Sequence, residues 1–225
     1  MGMRRRDFIG GIGAAFLGFV GRAGRARAAT GTIEVICRDA WGARARKGHF
    51  RRHTIKRLTV HHSGTKLTRN RDAPARIRSI QAYHQSRGWP DIAYHFIIDR
   101  HGNVYRGRAP WAVGDTATDY SPRGHLLIMC LGHFGEQELP RAMKRALIKV
   151  LAWACAEFGV SPRTIRGHGF YASTACPGSN IKALIRNGSL RRAVKARLES
   201  GGVRKRRLCG AAGRRRVRQI ESGTD

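Results

Sequence analysis

The glycine-rich stretch Arg166–Gly178 constrains this chain more than any other part of its sequence. It places His168 and Cys176 eight residues apart, and Pro177 and Gly178 then end the loop. An imidazole and a thiolate are protein ligands that zinc accepts readily. A loop can turn both side chains toward one ion, which a straight helix or strand of that length cannot. The stretch therefore predicts a metal site, and the alternative is that both residues have structural roles in a turn.

A third ligand is found far away in the sequence. His61 follows the apolar run Leu58–Val60, and a strand there would deliver the imidazole to the edge of a sheet. Structural zinc sites usually have four protein ligands, whereas catalytic sites have three and keep one position for water. Two histidines and one cysteine therefore favour a catalytic zinc site over a structural one.

Four ordered segments resemble one known family. The segments are Arg38–Ala43, His61–Gly64, Gly88–Asp99 and His168–Gly178. Together they resemble the zinc N-acetylmuramoyl-L-alanine amidases of the peptidoglycan recognition protein and phage-lysozyme type, also called type 2 amidases. The first segment is similar to the recognition-protein branch in particular. The resemblance extends over residues 37–185, and it is specific because the segments match in order and spacing.

The resemblance implies a set of functional residues. It assigns Zn²⁺ to His61, His168 and Cys176, and peptidoglycan as the substrate. It makes Tyr94 a catalytic residue whose phenol hydrogen-bonds the attacking water or the oxyanion, and it gives Thr174 a position that contacts substrate in the recognition-protein branch. Trp89 is a candidate wall for the muropeptide. Without the resemblance, the sequence predicts structural roles for these residues. Tyr94 would be a half-buried tyrosine of a strand, Thr174 would be a turn residue, and Trp89 would cap the core.

One segment departs from the family pattern. Between Ala112 and Leu127 the family usually has a small residue and a histidine after Val-Gly, but this chain has Asp115 and Thr116 there. His125 is a candidate replacement for the missing histidine, and the alternative is an exposed loop residue. His62 and His95 should point to the opposite strand face from their functional neighbours, which predicts structural roles for both.

The hydrophobic pattern predicts the α/β class, with a central mixed β-sheet flanked by helices in one domain over residues 30–199. The predicted strands include Lys56–His61, Ile92–Asp99 and Leu126–Leu131. The predicted helices include Ala73–Ser86 and a long helix that ends near Gly159. The metal loops should meet at one edge of the sheet.

Charge and cysteine content leave several questions open. The formal net charge is +30, which favours polyanionic partners, although an arginine excess can also follow from codon composition. Neither a reading helix nor a basic face interleaved with aromatic residues is evident, so no specific nucleic-acid partner is expected. Among five cysteines, Cys130 and Cys155 lie in apolar runs and are predicted to be packed thiols. The sequence does not decide the pairing of the others.

The two ends of the sequence are strongly basic. Residues 1–29 carry a paired arginine before Phe8 and Ile9, a weakly apolar stretch and small residues near Ala28, as in a twin-arginine export signal. They predict delivery to the periplasm, the cell wall or the exterior. Residues 200–225 have few apolar groups and are predicted to form a disordered tail. Such a tail would either touch anionic wall polymer or membrane electrostatically, or be inert.

Two functions compete for the folded domain. The leading interpretation is a zinc amidase that cuts the bond between N-acetylmuramic acid and L-alanine in peptidoglycan. The alternative is a recognition protein that holds the muropeptide without cutting it. The presence of Cys176 favours the enzyme, because loss of that ligand marks the non-catalytic branch. A monomer is expected in either case.

Overall fold

A computed structural model describes residues 31–225, and the predicted export signal lies outside the described residues. The strands are β1 (Gly31–Ile36), β2 (Arg57–His62), β3 (Phe96–Ile98), β4 (Val104–Arg106), β5 (His125–Cys130), β6 (Arg166–Gly167) and β7 (Val203–Leu208). The α-helices are α1 (Arg38–Trp41), α2 (Ala73–Ser86), α3 (Arg141–Phe158), α4 (Ser179–Arg186), α5 (Ser189–Glu199) and α6 (Gly210–Ser222). Short 3-10 turns occupy Asn70–Asp72, Pro162–Thr164 and His168–Phe170. No helix within residues 31–225 has both the length and the apolar composition needed to cross a bilayer.

The seven strands form one mixed sheet in the order β6-β2-β5-β3-β4-β1-β7. Strands β3 and β4 form an antiparallel pair, and the other neighbouring strands pair in parallel. Strand β5 lies near the middle and every one of its residues is buried, as its uninterrupted apolar run predicts. The predicted fold class, a mixed sheet flanked by helices in a single domain, is confirmed.

Helices cover both faces of the sheet. On one face, α3 and α5 pack on a cluster that contains Val60, Ile128 and Leu151. On the other face, α1, α2 and α6 pack on a cluster that contains Ile97 and Met129. Side chains alternate between faces along a strand, so Val60 enters the first cluster and the next residue, His61, points toward the second face. This alternation decides on which side the candidate site forms.

The strand before the tight turn at residues 99–103 is shorter than predicted. The sequence predicted a strand over Ile92–Asp99, but only Phe96–Ile98 is paired as one. The preceding backbone bonds to other partners: the Ala93 N–H donates to Nδ1 of His84 at 3.0 Å, and the Arg108 N–H donates to the Tyr94 carbonyl at 2.8 Å. Tyr94 is therefore held in a loop beside the sheet.

The prediction of a disordered tail over residues 200–225 is wrong. Strand β7 pairs with β1 in parallel over six residues, and α6 packs beside α1 with Val217 and Ile220 buried. A disulfide joins Cys37 to Cys209 and resolves the pairing that the sequence left open. Local composition misled the prediction. The segment has few apolar groups, but they are buried against α1 and α2 of the rest of the domain.

Candidate active site

Two neighbouring strands bring the candidate histidines together. Strand β6 pairs with β2 so that Gly167 lies opposite Val60. The residues that follow them, His168 and His61, therefore emerge side by side, and their ring centroids are 4.7 Å apart. Both side chains are buried, with 8% and 2% of their surface exposed. The register of this short strand pair thus accounts for a contact between residues 107 positions apart in the chain.

The loop after His168 returns Cys176 to the same place. The Gly169 N–H donates to the Cys176 carbonyl at 2.9 Å, which closes the loop on itself. A Cβ atom on Gly169 would lie 2.9 and 3.0 Å from the carbonyl oxygens of Thr174 and Cys176, so this approach requires glycine. The His62 N–H donates to Sγ of Cys176 at 3.4 Å and fixes the sulfur over the end of β2.

The three candidate donor atoms have the spacing of a metal site. The donor atoms of His61, His168 and Cys176 all lie within 4.8 Å of one another. Sγ of Cys176 is 3.7 Å from Nδ1 of His61, and typical zinc bond lengths place such a pair about 3.6 Å apart in a tetrahedral site. The donor set therefore fits a zinc ion in number, chemistry and distance.

Burial sets the protonation of this cluster. Burial, together with the neighbouring His168, lowers the pKa of His61 well below its usual value. Burial and then Lys182 lower the pKa of His168 as well, so both imidazoles are neutral at pH 7 and able to ligate. Burial raises the pKa of Cys176 to about 12, against the opposing effects of the His62 N–H and Lys182. A cation at the site would hold this sulfur as the thiolate.

Tyr94 borders the cluster. Its ring centroid is 5.3 Å from that of His61, and the side chain lines the same cleft. Burial, followed by Cys176 and Tyr120, raises the pKa of the Tyr94 phenol, so the hydroxyl keeps its proton at neutral pH. Tyr94 thus supplies a hydrogen-bond donor beside the three metal-type donors.

Thr174 and Trp89 line the cleft, and both also have structural contacts. The hydroxyl of Thr174 accepts a hydrogen bond from the Cys176 N–H at 3.2 Å, so it supports the turn that carries the cysteine. The Trp89 ring lies 4.7 Å from the ring of His84 and forms part of the cleft wall. The functional and the structural interpretations of these two residues are therefore compatible.

The cleft is open and carries positive charge. Its volume is about 510 Å³, and α2 forms one wall while residues 115–118 form another. Arg76 and Arg87 line the wall that α2 forms. The cleft thus combines the Trp89 ring, two guanidinium groups and the donor cluster on one surface.

His125 does not replace the missing family histidine. It is buried at the start of β5, where Nδ1 shares a hydrogen bond with the Thr59 hydroxyl at 2.8 Å, and it does not line the cleft. Both predictions for His125, a site residue and an exposed loop residue, are wrong. The turn at Pro122–Gly124 begins β5 one residue earlier than expected and draws this side chain inward.

The departing loop supplies a different partner to the site. Oγ1 of Thr118 is 2.7 Å from Nε2 of His168, and Thr116 in turn bonds to Thr118 at 2.8 Å. The buried Arg108 anchors the start of this loop through its ion pair with Asp115. Thr118 leaves only Nδ1 of His168 available as a ligand. Sequence reasoning missed it, and its location in the departing loop was the only signal.

The predicted structural histidines lie where expected. Nδ1 of His95 accepts from the Leu127 N–H at 2.8 Å, while its Nε2 meets the Ala112 carbonyl at 2.9 Å. Nδ1 of His62 accepts from the Phe134 N–H at 3.2 Å on the face opposite His61. Cys130 and Cys155 are free buried thiols, as predicted.

Comparison with known proteins places this fold and cleft in one class. The sequence model of the family described as Amidase_2, N-acetylmuramoyl-L-alanine amidase, matches residues 51–179. The chain therefore belongs to the N-acetylmuramoyl-L-alanine amidase family that also contains the peptidoglycan recognition proteins, and the resemblance seen in the sequence is confirmed.

The individual relatives are named as peptidoglycan-recognition proteins and as phage endolysins. Peptidoglycan-recognition protein SC2 of Drosophila melanogaster is 32% identical over 161 residues, which cover 70% of this chain and 87% of that protein. The endolysin of Escherichia phage T7 is 32% identical over 145 residues, or 61% of this chain and 90% of the endolysin. The solved structure of Drosophila PGRP-LB is 29% identical, has a TM-score of 0.60, and covers 68% of this chain and 93% of its own.

Proposed function

We propose that this protein is a zinc-dependent amidase that hydrolyses the amide bond between N-acetylmuramic acid and L-alanine in peptidoglycan. The observation that carries the proposal is the convergence of His61, His168, Cys176 and Tyr94 in one cleft. Three protein donors leave a position free, which is the arrangement of catalytic zinc sites. Membership of the amidase family supports the same reaction.

The chain's own residues would divide the work. His61, His168 and Cys176 would hold the ion, which when bound supplies Lewis acidity and an acidified water. The protonated Tyr94 phenol would donate a hydrogen bond to the oxyanion that develops on the scissile carbonyl. Thr174 would keep the cysteine turn in place and contact the substrate beside it. Trp89 would offer an apolar face to the muropeptide.

The charge of the cleft suits a peptide that ends in carboxylates. Arg76 and Arg87 are the arginines among the described residues that line the cleft, so they would face a stem peptide bound there. A guanidinium pairs with a carboxylate through two parallel hydrogen bonds, so these residues would orient the stem. A relative supports this ligand class: the solved PGRP-LE, 26% identical with a TM-score of 0.62, is in complex with a monomeric diaminopimelic acid-type peptidoglycan.

A recognition protein without turnover is the second candidate, favoured by the names of several relatives. Two experiments separate the candidates, one on the wild type and one on a single variant. Purified protein with stoichiometric zinc should release stem peptides from sacculi, and a chelator should abolish the release. Tyr94→Phe should keep zinc and muropeptide binding but lose turnover by about 10²-fold or more, since it removes one oxyanion donor. Zinc-replete wild type that binds muropeptide and never cuts it would establish the recognition protein instead.

We also infer export through the twin-arginine route and a location in the periplasm, the cell wall or the exterior. The sequence of residues 1–29 supports this, and so does the Cys37–Cys209 disulfide, because such bonds persist in oxidising compartments. Replacing Arg4, Arg5 and Arg6 with lysine should retain the protein in the cytosol. Normal secretion of that variant would contradict the route. A monomer without a specific nucleic-acid partner stays a prediction.

A further inference from the structure

A second cavity lies between α3, the β3–β4 turn and α6. Its volume is about 260 Å³, and it shares no lining residue with the cleft described above. Strand β4 begins opposite Val35, so the earlier residues of β1 have β7 on one side and no strand on the other. The cavity fills that gap in the sheet. We call it the α3–α6 pocket.

The α3–α6 pocket is lined by an excess of cations. Arg145 and Lys149 project from one face of α3, and Arg216 enters from α6. Within residues 31–225, neither Arg145 nor Lys149 has a carboxylate within ion-pair distance. The acidic residue in the lining is Glu34, which already pairs with Arg206. The pocket therefore has more than one uncompensated positive charge.

Arg216 is fixed in place rather than free in solvent. Its Nε and Nη2 donate to Oδ1 of Asn103 at 3.0 and 2.7 Å, and Nδ2 of Asn103 donates to both Asp99 and Asp225. This network holds the guanidinium at the pocket wall before any ligand arrives. A preorganised cation loses less entropy on binding than a mobile surface side chain.

The positive surface continues beyond the pocket. Thr32 and Glu34 also border a neighbouring groove of about 570 Å³ whose other lining residues are Arg204, Lys205 and Arg206 of β7. A ligand anchored in the pocket and extended along this groove would meet Arg204 and Lys205, since Arg206 is already paired with Glu34. That continuity favours a polymer over a single small anion.

The residues that line the pocket indicate which kind of phosphate polymer would bind there. Among the described residues that line the pocket, none is Phe, Tyr or Trp, and the one ring, His101, is paired with Asp225, so the lining offers little surface for stacking nucleobases. Arginine and lysine together suit phosphate oxygens, and repeated phosphodiesters match the row of cations along β7. We propose that the α3–α6 pocket and the β7 groove bind a phosphodiester-linked polymer that lacks bases, such as a polyol phosphate.

Two double variants of full-length protein test the proposal. Arg145→Ser with Lys149→Ser removes the α3 cations of the pocket. Arg141→Ser with Lys144→Ser removes one arginine and one lysine from the same helix outside the pocket, so the change in net charge is equal. Binding to soluble poly(glycerol phosphate), to oligothymidylate with the same number of phosphates and to phosphatidylglycerol vesicles is measured by titration at one fixed ionic strength.

The pocket variant should bind poly(glycerol phosphate) about tenfold more weakly or worse, since two charge-assisted contacts are lost, while the matched control should change less than about twofold. Inorganic phosphate should compete with the polymer on the wild type. Equal weakening in both variants would overturn the assignment of the pocket as the binding site, because the overall positive charge of the surface would then account for the binding. A pocket-dependent preference for oligothymidylate or for vesicles would overturn the polymer assignment. Zinc content and sacculus hydrolysis should be unchanged in both variants, which shows that they fold and separates this test from that of the amidase.

Discussion

The two edges of the sheet differ in how their structure is encoded. At the β6–β2 edge, short ordered motifs specify the donor cluster, and the residues that matter are chemically distinctive. At the β1–β7 edge, the C-terminal segment from Gly201 is folded by docking onto the rest of the protein, and its residues taken alone look disordered. The comparison teaches that a cluster of metal-type donor residues can be predicted from a sequence, whereas the fold of a docked basic segment is apparent only from its contacts.

The largest expected effect tests whether the β6–β2 edge, which carries the donor cluster, behaves as a separate unit. Cys176→Ala should lose bound zinc and reduce sacculus hydrolysis by at least about 10³-fold, because one of three candidate ligands is removed. Elemental analysis and peptide release measure the two losses. Cys130→Ala is the matched control, since its thiol is free, buried and outside the donor cluster. Full zinc occupancy in Cys176→Ala would remove this cysteine from the site.

The second prediction addresses the other edge. Cys209→Ser should lower the free energy of unfolding by about 2–5 kcal/mol, because the disulfide closes a loop of 172 residues and constrains the unfolded chain. Hydrogen exchange should become faster in β7 and α6 while zinc stays bound. Loss of zinc together with loss of the C-terminal segment would show that the two edges unfold as one unit.

Sequence reasoning succeeded where residues have few alternative uses. The donor cluster, the α2 boundaries and the buried β5 followed from motif spacing and hydrophobic period. It failed where a residue's role depends on a partner distant in the chain. Thr118 acquires its role only because β6 brings His168 to it, and His125 turns inward because the preceding turn starts β5 early. Val217 and Ile220 are two isolated apolar residues among arginines until α1 and α2 bury them.

The third prediction concerns the contact between Thr118 and His168 at the β6–β2 edge. Thr118→Ala should weaken zinc binding by about 10- to 100-fold, since the hydroxyl orients the imidazole of His168 through Nε2. Competition with a metal-binding dye measures the affinity directly and does not depend on turnover. Thr118→Ser keeps the hydroxyl and should restore most of the affinity, while Thr65→Ala provides a control at another threonine of the cleft. Equal zinc affinity in Thr118→Ala and the wild type would limit Thr118 to packing.

The smallest expected effect uses pH to separate the middle of the sheet, where His95 bonds to β5, from the C-terminal segment. Burial lowers the pKa of His95 to about 3, although its hydrogen bond to the Ala112 carbonyl opposes the shift. The unfolded chain, with a histidine pKa near 6.5, then binds more protons, so stability is full above pH 6.5 and falls as pH drops toward 3. The slope for this one group is at most about 1.4 kcal/mol per pH unit. Burial raises the pKa of Asp99 beside the C-terminal segment, which has the opposite sign and favours folding as pH falls.

Acid should therefore loosen the segment around His95 before it loosens the hydrogen bonds that Asn103 donates to Asp99 and Asp225. Hydrogen exchange at pH 7 and pH 5, corrected for intrinsic rates, measures both regions in one sample. His95→Gln should be less stable at pH 7, because the Leu127 N–H loses its acceptor, but its stability should fall less steeply below pH 6.5. A slope parallel to that of the wild type would show that other groups carry the acid sensitivity. Simultaneous loosening of both regions would mean that the centre of the sheet and the C-terminal segment unfold as one unit.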